Sequence, residues 1–146
     1  QVVRGLAKCE RLVDAVVLEE ATLRDHLFGP RPYAEVLLAV EAGEVVGFAL
    51  FFHNYSTFRG RPGLYLEDIF VRPEHRRRGH GKALLAALAR LAVDRGCGRL
   101  EWSVLDWNEP SIGFYRALGA VPMAEWTVYR LTGDSLAALG ARGAAE

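Results

Sequence analysis

The residues with the clearest chemical potential are Arg76-Arg77-Arg78-Gly79-His80-Gly81-Lys82. They lie between an apolar, strand-like run at 64–71 and an Ala/Leu-rich stretch at 82–93 that reads as a helix. Glycine lets backbone N–H groups approach a ligand closely, and a helix N-terminus attracts anions. A strand, a Gly-containing turn, arginines and a helix start together describe a pocket for a phosphate group. Two common phosphate loops do not fit. In the pattern Gly-x-x-x-x-Gly-Lys-Ser/Thr, Arg76 stands at the first Gly and Ala83 at the hydroxyl, so the magnesium-binding part is missing. In the dinucleotide pattern Gly-x-Gly-x-x-Gly, Gly79 and Gly81 fit but Leu84 holds the third position. What fits is Arg-x-x-Gly-x-Gly at Arg76, Gly79 and Gly81. The plain structural alternative is a solvated basic turn before a helix.

The elements that must position this loop can be read along the chain. Residues 1–9 look like the second half of a helix, and 22–27 like a short helix capped by Thr22. Runs at 35–40 and 45–52 are β-rich and flank Glu41-Ala42-Gly43-Glu44, a short hairpin connection. Residues 54–63 carry turn residues and aromatics and read as a loop. The strand at 64–71 is broken by Pro73. Residues 82–95 form a strong helix, with Leu84, Leu85, Leu88, Leu91 and Ala92 on one face and Gly96 at its end. A strand is expected at 99–105. Pro110 and Gly119 bracket the next helix. A last strand is expected at 126–131, with Trp126 and Tyr129 as core residues, then a weaker helix capped by Asp134. This order predicts an α/β fold with a mixed central sheet flanked by helices, and a parallel crossover between residues 64 and 105.

Composition bounds the function. The 146 residues fit one domain, and a hydrophobic fraction of 51% is ample for a core. Lys+Arg and Asp+Glu are both 18, so net charge gives no push toward nucleic acid or membrane. Neither Cys9 nor Cys97 lies in a CxxC, and the four histidines show no ligand spacing, so no metal is expected. No run is long enough to span a bilayer and no signal peptide is visible; a cytoplasmic protein is the default. Gln1 is not an initiator Met. The numbering is therefore expected to begin inside a longer product, with the fold's first strand missing.

The loop resembles the coenzyme A pyrophosphate loop of the GNAT superfamily of N-acetyltransferases. The resemblance extends to Leu66-Glu67-Asp68 before the loop, and to Asn108-Glu109-Pro110-Ser111 with Phe114-Tyr115 and Leu118-Gly119-Ala120 after it. Together these are similar to the spermidine/spermine (diamine) and thialysine acetyltransferase branch, from about residue 6 to 131. The resemblance implies a GNAT-type acyl-CoA N-acyltransferase fold and an acetyl-CoA donor. It implies a homodimer and direct transfer to a small-molecule primary amine in a ternary complex. A protein lysine or N-terminal acetyltransferase, or a non-catalytic acyl-CoA-binding module, are the alternatives; a nucleic-acid partner through Arg76–Arg78 has little support.

Chemistry supplies reasons for particular residues. An alkylamine, with a pKa of about 10, arrives as a cation at neutral pH and must lose a proton before it attacks. A carboxylate can attract that cation and take its proton, and the resemblance makes Glu67 the base or amine ligand, with Asp68 on the opposite face because strands alternate. A structural ion pair is the other reading of Glu67. Tyr115 is the expected acid for the departing thiolate, and a core aromatic otherwise. The resemblance assigns backbone groups of Ile69, Phe70 and Val71 to the acetyl and pantetheine parts. It assigns Arg76, Arg77, Arg78, Gly79, His80, Gly81 and Lys82 to the pyrophosphate, and Asn108, Ser111 and Tyr115 to the coenzyme's other side. The resemblance further implies Glu10, Glu67, Glu101, Trp102 and Ser103 as acceptor contacts. No Ser or Cys has a His arranged to activate it, so no acyl-enzyme is expected. Arg11 and Cys9 argue against spermine itself as the acceptor.

Overall fold

The computed structural model describes residues 19–144. Its contacts divide the chain into two compact units with the boundary between Asp106 and Trp107. Each is described by itself. Among the described residues no helix is long and apolar enough to cross a membrane.

The first unit holds helix α1 (Glu20–Phe28) and a four-stranded sheet in the order β1-β2-β3-β4. The strands are β1 (Glu35–Glu41), β2 (Glu44–Ser56), β3 (Arg61–Val71) and β4 (Leu100–Trp102). β1, β2 and β3 pair antiparallel, and β3 pairs β4 in parallel. Between β3 and β4 lie a 3-10 turn at Pro73–His75 and helix α2 (His80–Asp94). This is the mixed sheet with a parallel crossover that the element order predicts.

Packing follows from the pattern of apolar residues. Helix α2 buries Leu84, Leu85, Leu88 and Ala92, the stripe that its sequence period calls for, against the sheet. Phe51, Leu64, Leu66 and Leu88 are almost fully buried. Phe48 and Phe70 pair across β2 and β3 and gather Val36 and Leu50 around them. Phe48 and Phe51 are three positions apart on β2, so they face opposite sides of the sheet.

Several expectations are corrected. Residues 54–63 are not a loop: β2 runs on through Ser56, β3 begins at Arg61, and only 57–60 turn the chain. Cross-strand bonds there override the turn-like composition. Helix α1 has Glu19 at its N-cap position with no side-chain cap bond, and Thr22 lies within the helix. β4 stops at Trp102 rather than continuing to 105, because only Leu100–Trp102 find partners, on Leu64–Leu66. The alternation expected to separate Glu67 from Asp68 is interrupted. Leu66 pairs with Phe51 and Asp68 with Leu50, so Glu67 is an extra, bulged residue.

The second unit holds α3 (Glu109–Ala117) and α4 (Gly133–Gly143). The strand expected at 126–131 is absent. Those residues make no ladder, and Trp126 and Tyr129 are exposed rather than core. An extended run becomes a strand only where a neighbour accepts its backbone bonds. Thr132, not Asp134, is the N-cap residue of α4. The half-helix expected at 1–9 lies outside the described residues.

Candidate active site

The loop's shape follows from its glycines. β3 ends at Val71, Pro73 starts the 3-10 turn, and the chain then enters α2 through Gly79. Gly79 has φ of +85° and Arg77 has φ of +60°, both left-handed. Gly79 is the N-cap, makes no side-chain cap bond, and no acidic residue stands in the first turn of α2. The first intrahelical bond runs from Ala83 N–H to the Gly79 carbonyl at 2.9 Å. The amides before Ala83 therefore have no partner within the helix, and they present the positive end of its dipole. A Cβ placed on Gly81 would meet nothing within 4 Å, so the space beside it is open to a ligand.

The loop's cations divide into two groups. Arg76 turns inward: its Nε donates to the Val71 carbonyl at 2.9 Å and its guanidinium lies over the Phe70 ring, 5.5 Å from the centroid. Arg78 and His80 both reach Glu41, at 2.8 Å and 3.0 Å. Arg77 and Lys82 form no ion pair among the described residues, so their charges are available to an anion.

Glu41 is the residue that sequence reasoning missed. It ends β1 and opens a two-residue turn in which Ala42 (φ +50°) and Gly43 (φ +80°) are both left-handed, the signature of a type I′ hairpin. Its Oε2 also faces His75 Nδ1 at 2.8 Å. Hydrogen bonds to His75, His80 and Arg78 lower its pKa to about 2. The only signal in the sequence was the position of Glu41 before an Ala-Gly turn.

Upstream, the β3–β4 ladder covers only Leu64, Tyr65 and Leu66 on the β3 side. Beyond it, Ile69, Phe70 and Val71 pair with Ala49, Phe48 and Gly47 on the β2 side. Their other edge has no strand against it among the described residues. Glu67, bulged and exposed, stands at the start of that open edge.

The expected acceptor residues have partners of their own. Glu101 Oε1 receives Arg99 Nε at 2.8 Å and Asn54 Nδ2 at 3.3 Å. Ser103 Oγ and Tyr65 Oη lie 2.7 Å apart. Trp102 is half-buried at the end of β4. Glu10 lies outside the described residues.

Asn108, Ser111 and Tyr115 belong to the second unit. Asn108 is the N-cap of α3, its side chain accepting from Ser111 N–H at 3.4 Å, with Pro110 in the first turn. Tyr115 is on α3, its ring 5.7 Å from that of Phe114. Gly119, at φ +90°, follows the helix end.

The sequence profile of the acetyltransferase (GNAT) family matches residues 6–120. The chain belongs to this family. Over 153 residues it is 38% identical to a thialysine N-epsilon-acetyltransferase of Bos taurus, covering 97% of this chain and 89% of that protein. Over 95 residues it is 53% identical to an L-ornithine N5-acetyltransferase of Arabidopsis thaliana, covering 65% of this chain and 42% of that protein. An integron cassette protein from the mobile metagenome of V. cholerae has the same fold, with a TM-score of 0.78, 29% identity, and coverage of 95% of this chain and 89% of that one. The four-stranded mixed sheet and its flanking helices are thus the GNAT fold, and the chain is an acetyltransferase of that family, whose members take acetyl-CoA as donor.

Proposed function

We propose that this GNAT enzyme transfers acetyl from acetyl-CoA to the primary amine of a small, lysine-like or ornithine-like molecule. The observation that carries this reading is the path of β3. Within eleven residues it offers a bulged carboxylate at Glu67 and an unladdered edge at Ile69–Val71, and it then feeds the Arg/Gly loop. The thialysine and ornithine acetyltransferases to which the chain is similar support the acceptor class.

In the proposed reaction, residues 76–82 hold the pyrophosphate through amides at the α2 N-terminus, aided by Arg77 and Lys82. Glu67 attracts the ammonium and takes its proton, directly or through a water. The amine nitrogen attacks the thioester carbonyl carbon, and backbone N–H groups of the open β3 edge stabilise the oxygen as charge builds on it. The C–S bond then breaks as Tyr115 gives its proton to the leaving thiolate, and the extra proton on the newly bonded nitrogen returns, directly or through water, to the Tyr115 phenolate. Asn108 and Ser111 serve the coenzyme's other side. Trp102 and Ser103 contact the acceptor. No covalent acyl-enzyme forms.

We take residues 1–146 as one catalytic domain, the compartment as cytoplasmic and the working unit as a homodimer. Light scattering that finds only monomer at micromolar concentration rejects the last of these. The decisive test is an amine panel with acetyl-CoA, read by release of the coenzyme A thiol. Turnover of thialysine or ornithine is the expected result. Acetylation of a peptide with no turnover of small amines would overturn the acceptor class.

A further inference from the structure

We propose that Glu41 is a positioning residue that orders the cofactor loop before the ligand arrives. This rests on reading residues 76–82 as the coenzyme A loop. Arg77 at φ +60° holds a left-handed shape that a residue with a Cβ visits rarely, and Gly79 at φ +85° takes one open to glycine but not fixed by it. Something outside the loop must keep it there. Arg76 is tied to β3 through the Val71 carbonyl. Three further side-chain ties converge on one carboxylate: His75 and His80 on Oε2, Arg78 on Oε1. These three residues bracket both left-handed positions.

The backbone that carries this carboxylate is fixed. A two-residue type I′ turn leaves little freedom to the residue that opens it, and Glu41 pairs with Glu44 across that turn. The β1–β2 hairpin thus works as a strut whose tip grips the loop from a distance of 34 to 39 residues in sequence. Charge-assisted bonds of 2.8 to 3.0 Å are suited to this. The arrangement also sorts the cations. Arg78 and His80 are engaged by the strut, while Arg77, Lys82 and the helix amides face the ligand's charge. A loop already in its binding shape binds more tightly, because its ordering no longer accompanies the binding step.

The test uses Glu41→Gln, which keeps the shape and removes the charge. Hydrogen exchange of the unliganded protein is expected to speed up at the amides of residues 76–82. KM for acetyl-CoA is expected to rise about tenfold, the size of losing one charge-assisted network, with kcat and the amine KM unchanged. A second cycle pairs it with Arg78→Ala. If Arg78 acts through Glu41, the double variant raises KM less than the product of the two single effects.

Unchanged exchange at 76–82 overturns the proposal. So does tighter coenzyme A binding, which would make the carboxylate a competitor of the ligand. So do fully multiplicative KM effects, which would put Arg78 on the ligand independently. If the wild-type protein binds no coenzyme A, the functional reading fails, and the exchange comparison alone decides whether Glu41 orders this loop.

Discussion

Arg95 and Glu35 meet through two parallel bonds, Nη1 to Oε2 at 2.7 Å and Nη2 to Oε1 at 2.9 Å. They join the end of α2 to the first residue of β1, so the pair locks the crossover helix onto the sheet edge. The guanidinium also lies over Phe51, 5.9 Å from the ring centroid. Both side chains are part-exposed, at 34% and 45%, so solvent screening keeps the contribution near that of a good surface pair. Arg95→Ala is expected to cost about 1 kcal/mol and lower Tm by about 3 °C. The Arg95 hydrogen bond holds the Glu35 carboxyl below its usual value of 4.5. A carboxyl lowered on folding stabilises above its unfolded pKa, and that contribution is lost as pH falls through the folded value. The Tm gap between wild type and Glu35→Gln should therefore be full at neutral pH and close in acid. A gap that widens in acid would refute this.

How much of this was legible in the sequence depends on whether the signal was local. The α2 face was legible because Leu84, Leu85, Leu88 and Ala92 repeat with the helix period. So were the Ala42-Gly43 turn, the Pro110 start and the Gly119 stop, each set by a residue's own backbone chemistry. The extension of β2 through Asn54–Ser56 was not, since those residues become strand only by pairing with 61–63. The bulge at Glu67 depends on register with Phe51 and Leu50, which no local pattern records. The grip of Glu41 on His75 crosses 34 residues and is likewise invisible in one dimension. The strand expected at 126–131 had the right composition and lacked a ladder.

The core offers a calibration of stability. Leu88 is fully buried on α2. Leu88→Ala removes three carbons and leaves a cavity, at an expected cost of about 2–5 kcal/mol. Urea unfolding should show it as a lower midpoint with the same slope. A loss below about 1 kcal/mol would mean the helix does not pack on the sheet as described.

The two loop glycines should fail in different ways. At Gly79 the left-handed backbone penalises any Cβ, so Gly79→Ala is expected to lower the Tm of the unliganded protein, at a cost of about 1 kcal/mol. At Gly81 φ is ordinary and a Cβ meets nothing within 4 Å. Gly81→Val should keep the unliganded Tm and lose the rise that coenzyme A gives, because the side chain fills the ligand's space. Thermal melts with and without coenzyme A separate the two. Normal coenzyme A binding by Gly81→Val would remove the loop assignment.

Tyr115→Phe keeps the ring and removes the hydroxyl that would donate the proton. Loss of a general acid is typically worth ~10²–10⁴-fold, so kcat should fall by about that much with coenzyme A affinity retained. The measurement is steady-state kinetics beside a coenzyme A titration. An unchanged kcat would return Tyr115 to a packing role beside Phe114.

The acceptor preference follows from which carboxylates remain for a cation. Glu101 is paired with Arg99 at 2.8 Å and also receives Asn54, so its charge is already answered. Glu67 is exposed at the bulge. A polycation needs several unanswered carboxylates, whereas a lysine-like amine needs one. A lysine-like amine or a short diamine should therefore be preferred over spermine. Glu67→Gln should raise KM for the amine and move the pH optimum of kcat/KM upward, because the ammonium must then lose its proton without help. Arg99→Ala should partly release Glu101 and improve kcat/KM for spermidine relative to thialysine. These profiles are measured across thialysine, putrescine, spermidine and spermine. A wild-type preference for spermine, or a Glu67→Gln profile that overlays wild type, would sink the charge argument.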